Sequence, residues 1–254
     1  MPRKLYTCLK QEIIGLIEQN WSPQQIEGRL KLENRPSVSH ETIYKMIRQD
    51  KADGGTLYRH TRHRLKHRKR PVGKKISIKD RVSIDQRPQI VDFKQRFGDW
   101  EIDTIVGANN RGAIVTMVER TTAFMMMEKL QYGKNTKELT KVTVRLLTAS
   151  MNHVHTITGD NGTEFADHQT ISKRLKTQFF FTHPYSSWEK GLIENTNKLI
   201  RQYIPKKTNL DALNERQIKE IQYKINNRPS KNLNFYSPKE KFFLYLQQKV
   251  AFSG

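Results

Sequence analysis

A run of basic residues without any acid interrupts the sequence at residues 54–79. It contains ten Lys or Arg and three His residues. Like charges repel one another and resist burial in a core, so a segment of this kind does not fold by itself. We expect a basic linker at 51–88, a solvated tether that can order on phosphate groups as counterions are released. It would separate a small N-terminal domain, 1–50, from a larger domain, 89–254.

The whole chain shares this charge bias. Its 254 residues include 46 Lys or Arg and 25 Asp or Glu, a formal net charge of +21. This balance favours a polyanionic partner, either nucleic acid or an anionic membrane surface. The longest apolar runs, such as the five residues at 123–127, are far shorter than the roughly 18 residues that span a bilayer, so we expect no membrane crossing.

The cysteine content and the start of the chain bear on the compartment. The one cysteine, Cys8, excludes an internal disulfide and a zinc site built from cysteines. The basic first residues lead to Gln11 and Glu12 before an apolar stretch of signal-peptide length can form. We therefore expect a reduced, cytoplasmic protein that faces nucleic acid.

Three short helices are predicted in the first fifty residues. Apolar residues recur at helical spacing over 9–17, 26–32 and 43–47. Ser22 followed by Pro23 marks the start of the second helix, and Ser39 is placed to cap the third.

Short helices joined by tight turns are typical of a helix-turn-helix, whose last helix reads DNA. This last helix would run over about 40–48 and offer Lys45 and Arg48 to DNA. A small helical bundle without a role in DNA binding fits the same pattern, so both interpretations stay open.

From about residue 89 the pattern changes to strands and helices. Three strands are predicted first, at 100–106, 113–118 and 123–130. Further segments then alternate, with helices at 136–149, 164–175, 188–203 and 215–227 and strands at 154–158 and 178–181. A hairpin followed by this alternation predicts an α/β fold, a mixed sheet flanked by helices whose later strands are parallel.

Three acids stand out in this basic chain. Asp103 lies in the first strand, on a face that it shares with Asp99 and Glu101. Asp160 directly follows the fourth strand, in an Asp-Asn-Gly sequence that on its own is most often only a turn. Glu194 lies on the helix at 188–203.

The helix that carries Glu194 has an apolar stripe and a polar face. The stripe is formed by Trp188, Leu192 and Leu199. The polar face carries Glu194 together with Lys190, Asn197, Lys198 and Arg201. Without context this face would be a solvated helix side with ordinary salt bridges.

The spacing of the three acids supplies that context. Asp160 follows Asp103 by 57 positions, Glu194 follows Asp160 by 34, and Arg201 follows Glu194 by seven. This set resembles the DDE transposase and integrase superfamily, whose catalytic domain has the ribonuclease-H-like fold.

Longer motifs point to one family within this superfamily. They are WEID at 100–103, DNGTEF at 160–165 and PYSSWEKGLIENTNKLIRQYIPK at 184–206, with WSPQQI at 21–26, ETIY at 41–44 and NNRP at 226–229. All of them resemble the bacterial insertion-sequence family thirty. The similarity covers nearly the whole chain, and the joint order of the motifs is highly specific.

The resemblance implies a metal-dependent transposase. Such enzymes hydrolyse a phosphodiester to free a 3′ hydroxyl, which then attacks another strand. Two Mg²⁺ ions, for which Mn²⁺ can substitute, activate the attacking oxygen and stabilise the leaving one, and hard ions of this kind prefer carboxylate ligands. We assign Asp103 as the bridging ligand, Asp160 as a ligand of one ion and Glu194 as a ligand of the other.

DNA is the implied partner, both as the terminal inverted repeats of the element and as the target. Pairing two ends calls for at least a dimer, acting in the bacterial cytoplasm on the nucleoid. Beside the metals, basic residues would hold phosphates and an asparagine would contact base or sugar. The predicted contacts of this catalytic domain are Lys190, Asn197, Lys198 and Arg201.

Two other functions stay open. The first is a DNA-binding protein derived from a transposase that no longer recombines, against which the three intact acids argue. The second is a ribonuclease-H-like nuclease acting on structured DNA or RNA, which does not explain the N-terminal helices. Short inverted repeats flanking the gene would favour the transposase.

Proteins of the resembled family usually carry a further helix-turn-helix before the WSP sequence. Here only twenty residues precede Trp21. Since base contacts supply discrimination, we expect a chain with one helical reader to bind DNA generally and to distinguish its ends poorly.

Overall fold

The computed structural model describes residues 3–61, 78–184 and 186–251. The chain forms two compact units, one made of Met1–Arg70 with Asn227–Gly254 and the other of Pro71–Asn226. Of the predicted basic linker at 51–88, residues 62–77 lie outside the described residues. The described parts are not a plain tether, since Leu57–His60 and Ile84–Gln86 form 3₁₀ turns.

The helices and strands are as follows. The helices are α1 (Arg3–Glu18), α2 (Pro23–Leu32), α3 (His40–Ala52), α4 (Gln89–Asp92), α5 (Thr136–Thr148), α6 (His168–Leu175), α7 (Gly191–Tyr203), α8 (Glu215–Asn226) and α9 (Pro238–Ala251). The strands are β1 (Asp99–Val106), β2 (Ala113–Glu119), β3 (Met125–Leu130), β4 (Thr156–Gly159) and β5 (Gln178–Phe181). No helix in the described ranges is long and apolar enough to cross a membrane.

The three N-terminal helices of the first unit confirm the local predictions. Ser22 accepts a hydrogen bond from the backbone N–H of Gln25, whose side chain reaches back, so α2 begins with a capping box. Ser39 caps α3 through Thr42. Apolar side chains of α1, α2 and α3 form one buried cluster. The DNA-reading role of these helices stays a prediction.

The segment from Asn227 onward belongs to this same unit. Arg29 of α2 makes two hydrogen bonds to Glu240 of α9, at 2.8 and 2.9 Å. The ring of Phe235 lies so close to Gly28 that a Cβ atom there would overlap it. The predicted larger domain, 89–254, included this segment, whereas the structure groups it with the N-terminal helices. The assignment of functions to the domains stays a prediction.

The second unit is built on a five-stranded sheet of order β3-β2-β1-β4-β5. β2 pairs antiparallel with both β1 and β3, whereas β4 lies parallel to β1 and β5. The hairpin and the parallel later strands confirm the predicted α/β class, a mixed sheet flanked by helices. β1 is the central strand, and it places Asp103 opposite Thr116 of β2.

One face of the sheet is covered by α7 and α8. Ile105 of β1, Met125 and Met127 of β3, Ile200 of α7 and Ile218 of α8 share a buried cluster. This core fixes α7 against the central strand, next to the predicted catalytic acids.

Two helices begin later than the sequence pattern predicts. Ser187–Lys190 forms a 3₁₀ turn before α7, and Thr163–Phe165 forms another before α6. Because a 3₁₀ turn has about three residues per turn, the helical period does not extend through it. Trp188, predicted for the apolar stripe, is accordingly 74% exposed, which corrects that prediction.

Candidate active site

β1 presents the polar face that carries Asp103 towards α7. Glu101 accepts a hydrogen bond from the backbone N–H of Ile193 at 2.8 Å, and Asp103 accepts one from the Asn197 amide, also at 2.8 Å. Ile105, two residues further on, packs in the core with the later part of α7. The helix therefore runs along the strand, with the Asp103 carboxylate in the middle of the contact.

The Asp103 side chain is held by two donors. Its Oδ1 accepts a hydrogen bond from the backbone N–H of Thr104 at 2.9 Å, and its Oδ2 accepts the one from Asn197. The Thr116 hydroxyl of β2 in turn donates to Oδ1 of the same Asn197 side chain at 3.1 Å. The amide of Asn197 thus orients Asp103 here, while its predicted contact with DNA stays a prediction.

Asp160 comes directly after β4, in the turn that its Asp-Asn-Gly sequence favours. Its Oδ1 accepts a hydrogen bond from the backbone N–H of Gly162 at 2.9 Å. The Asn161 amide donates to the carbonyl of Thr182 at 2.7 Å, which ties the turn to the end of β5. The sequence is therefore a turn, and the turn also fixes Asp160 at the edge of the site.

The side chain of Lys190 ends between the two aspartates. Its ammonium lies 3.7 Å from Asp103 Oδ1 and 3.5 Å from Asp160 Oδ2. It also donates a hydrogen bond to the carbonyl of Ile102 at 3.1 Å. The side chain was predicted to hold a DNA phosphate, yet it is only 4% exposed and lies among carboxylates.

The electrostatics of Asp103 indicate a site that accepts a cation. Burial raises the pKa of its carboxyl above the usual value, and the nearby charge of Lys190 opposes this rise. The charges of Asp160 and Glu164 add to the rise in pKa. A cation between the carboxylates relieves both their desolvation and their mutual repulsion. Carboxylate oxygens in this setting fit a hard divalent ion such as Mg²⁺.

The third predicted ligand, Glu194, lies in the first turn of α7, half-buried and one turn after Lys190. Among residues 3–61, 78–184 and 186–251, no three His, Cys, Asp or Glu side chains are close enough to hold a metal ion. The structure therefore brings Asp103 and Asp160 together, and the role of Glu194 as a ligand stays a prediction.

Glu101 holds the start of α7 in place. It is 1% exposed, and its Oε1 forms a buried ion pair with Arg120. Its Oε2 accepts the hydrogen bond from the backbone N–H of Ile193. It therefore fixes the backbone next to Glu194. The sequence placed Glu101 on the same face of β1 as Asp103 and within the WEID motif, and these were the two signals for its position near the site.

Glu164 is a further acid near Asp103, one for which the sequence analysis assigned no role. Its side chain is 3% exposed. Its Oε1 accepts a hydrogen bond from the Thr104 hydroxyl at 2.6 Å and forms an ion pair with the Lys134 ammonium, also at 2.6 Å. Its Oε2 is buried and has no hydrogen-bond partner among the residues that the structure describes. Since Thr104 adjoins Asp103, Glu164 adds negative charge beside the predicted metal ligands.

Comparison with known proteins identifies the family. No family model matches the chain. It is 45% identical over 254 residues to the transposase for insertion sequence element IS4351 of Bacteroides fragilis, covering 98% of this chain and 78% of that protein. The chain belongs to the IS30 family of transposases.

Other members of the IS30 family show the same relationship. The IS1086 transposase of Cupriavidus metallidurans is 34% identical, over 87% of this chain and 68% of that protein. Transposase InsI of IS30A from Escherichia coli K12 is 32% identical, over 91% of this chain and 63% of that protein. Among solved structures, the catalytic core domain of BIV integrase aligns with a TM-score of 0.47 at 16% identity, covering 60% of this chain and 98% of that one.

The remaining predicted DNA contacts of this IS30-family chain lie on α7 and α3. Lys198 is exposed, and Arg201 is half-buried and donates to the carbonyl of Pro205 at 3.4 Å. Lys45 and Arg48 are both exposed on α3. Their accessibility is compatible with phosphate contacts, which stay predictions.

Proposed function

We propose that this protein is a DDE-type transposase that cleaves DNA at the ends of an insertion sequence and joins the freed ends to a target. The observation that carries the proposal is the meeting of Asp103 and Asp160 around the ammonium of Lys190, beside the helix of Glu194. Family membership and the net charge of +21 support it.

In this proposal Asp103, Asp160 and Glu194 hold two divalent ions, Mg²⁺ or Mn²⁺. When bound, such ions activate the attacking oxygen and stabilise the leaving oxygen at phosphorus. The protein's own groups prepare the ligands before that step. Asn197 and the Thr104 amide orient Asp103, and the turn at 160–162 orients Asp160.

The DNA sequences bound, the oligomeric state and the compartment belong to the same proposal. Terminal inverted repeats are the substrate, and two ends are joined by at least a dimer, since each end needs its own active site. The DNA of the host lies in the bacterial cytoplasm, so the protein acts there. Lys198 and Arg201, one and two turns after Glu194, would hold the phosphates beside the metals.

The test is strand cleavage by three variants with end DNA and Mg²⁺. Asp103→Asn, Asp160→Asn and Glu194→Gln should each lower cleavage by at least about 100-fold, because each removes a metal ligand. DNA affinity should change little. Glu220→Gln, which neutralises an exposed acid on α8, is the matched control and should cleave like wild type. Any of the three variants that still cleaves normally would remove its residue from the site.

One alternative remains in view, a DNA-binding protein that no longer recombines. It predicts that wild type binds end DNA but leaves it intact with either Mg²⁺ or Mn²⁺. The meeting of Asp103 and Asp160 in one site favours the enzyme over this alternative.

A further inference from the structure

Lys190 is the least expected residue of the site. Most lysines of proteins stay in water, because removing an ammonium from solvent costs several kcal/mol unless its partners compensate. Lys190 is nevertheless 4% exposed. The transposition chemistry proposed above assigns no task to a buried ammonium at this point.

The three partners of Lys190 define where its charge lies. Its Nζ is within 3.7 Å of one oxygen each of Asp103 and Asp160 and donates a hydrogen bond to the Ile102 carbonyl at 3.1 Å. All three partners are oxygens, and two of them are the carboxylates proposed to bind metal. A divalent ion ligated by the same carboxylates needs oxygens at about 2.0–2.6 Å. The ion and the ammonium would therefore compete for the same few ångströms.

We propose that Lys190 is an internal counter-ion of Asp103 and Asp160, and that a divalent cation displaces it from between them. This inference rests on the proposed function, which makes the two aspartates metal ligands. It adds a regulatory step, because metal entry requires a change of position by a protein side chain.

The start of α7 stays in place during such a displacement. Lys190 is the N-cap residue that joins the 3₁₀ turn to α7, with non-helical angles of φ −116° and ψ 42°. Glu101 holds the backbone N–H of Ile193 at 2.8 Å, so the lysine leaves by rotation of its own long side chain. Glu194, one helical turn later, is not moved by this rotation.

The displacement also accounts for the two environments assigned to this lysine. While buried, Lys190 neutralises the carboxylates, and once displaced its ammonium becomes available to a DNA phosphate. The sequence pattern predicted only the second environment, whereas the structure contains the first.

The first experiment measures Ca²⁺ binding to the full chain by calorimetry, without DNA. Lys190→Met removes the competing charge at nearly constant side-chain length, so Ca²⁺ should bind roughly tenfold or more tightly. Lys219→Met removes one exposed charge on α8 and should leave the affinity unchanged. Unchanged or weaker binding by a folded Lys190→Met protein overturns the inference.

The second experiment uses wild type, so it does not depend on how well a variant folds. Reductive methylation followed by mass spectrometry reports the accessibility of each lysine amine. Lys190 should be modified slowly in EDTA and several-fold faster in Ca²⁺, while Lys219 is modified at one rate throughout. Equal protection of Lys190 in both conditions, at a Ca²⁺ concentration that saturates the site, contradicts displacement.

Asp103→Asn separates failure of this inference from failure of the proposed function. If Ca²⁺ binds wild type and Asp103→Asn equally, or binds neither, the metal site itself is wrong and the inference falls with it. If the substitution abolishes binding but Lys190 of wild type stays protected in Ca²⁺, only the counter-ion role is wrong.

Discussion

Glu101 illustrates how single buried residues organise this site. Its carboxylate joins Arg120 on one side and the N–H of Ile193 on the other, so one side chain connects the central strand to the start of α7. Neither interaction involves the reacting DNA. Both fix the backbone that carries Glu194, which makes Glu101 a positioning residue.

Replacing Glu101 by Gln should destabilise the second unit. The change leaves Arg120 buried without its counter-charge, and breaking a buried pair from one side costs about 3–5 kcal/mol. Urea unfolding of both proteins measures the difference. The control is Glu128→Gln, whose partner Arg145 is 59% exposed, so its loss should cost less than about 1 kcal/mol. Similar small losses for the two variants would mean that the Arg120 pair does not stabilise the fold.

At the scale of elements, the contact between α2 and α9 holds the first unit together. Arg29 and Glu240 are 211 positions apart and share two hydrogen bonds. Partial burial opposes ionisation of Glu240, but hydrogen bonds from Arg29 and Ser237 and the charge of Arg29 outweigh it. The pKa of Glu240 is therefore about 2 rather than 4.5.

This pKa predicts how acid affects the first unit. Because the folded pKa is the lower one, the stabilising effect of Glu240 is complete above pH 4.5 and is lost as the pH falls through about 2. Glu240→Gln should therefore lower the melting temperature at pH 7 and have a smaller effect at pH 3. Glu41→Gln, an exposed acid on α3, serves as the control. A difference between wild type and Glu240→Gln that is as large at pH 3 as at pH 7 would contradict the pairing.

Periodicity and end signals predicted most elements, whereas the meeting of Asp103 with Asp160 was implied by the family resemblance. The structure supplies the geometric reason, since Asp103 on β1 and Asp160 just after β4 lie on neighbouring parallel strands. The burial of Lys190 and the exposure of Trp188 could not be predicted, because both depend on a 3₁₀ turn that breaks the helical period. Likewise, no local pattern connects Glu240 with Arg29, since their contact depends on the tertiary fold.

At the scale of the whole molecule, the excess of positive charge should govern DNA affinity. Each phosphate contact releases counterions, so the logarithm of the binding constant falls linearly with the logarithm of salt concentration. Deleting residues 54–79 removes ten Lys or Arg and should flatten this slope. Fluorescence anisotropy with a labelled duplex at several salt concentrations measures it. A slope that is the same with and without the segment would show that the basic run does not contact DNA.

The protein is proposed to be a metal-dependent enzyme that acts on the ends of its own element. The most direct test maps nicks on labelled end DNA and on a scrambled duplex, with Mg²⁺ or EDTA. We expect wild type to nick end DNA in Mg²⁺ only, leaving a 3′ hydroxyl at the boundary of the inverted repeat, and Asp103→Asn to leave it intact. Binding without nicking, or nicking that follows DNA structure regardless of sequence, would contradict the claim.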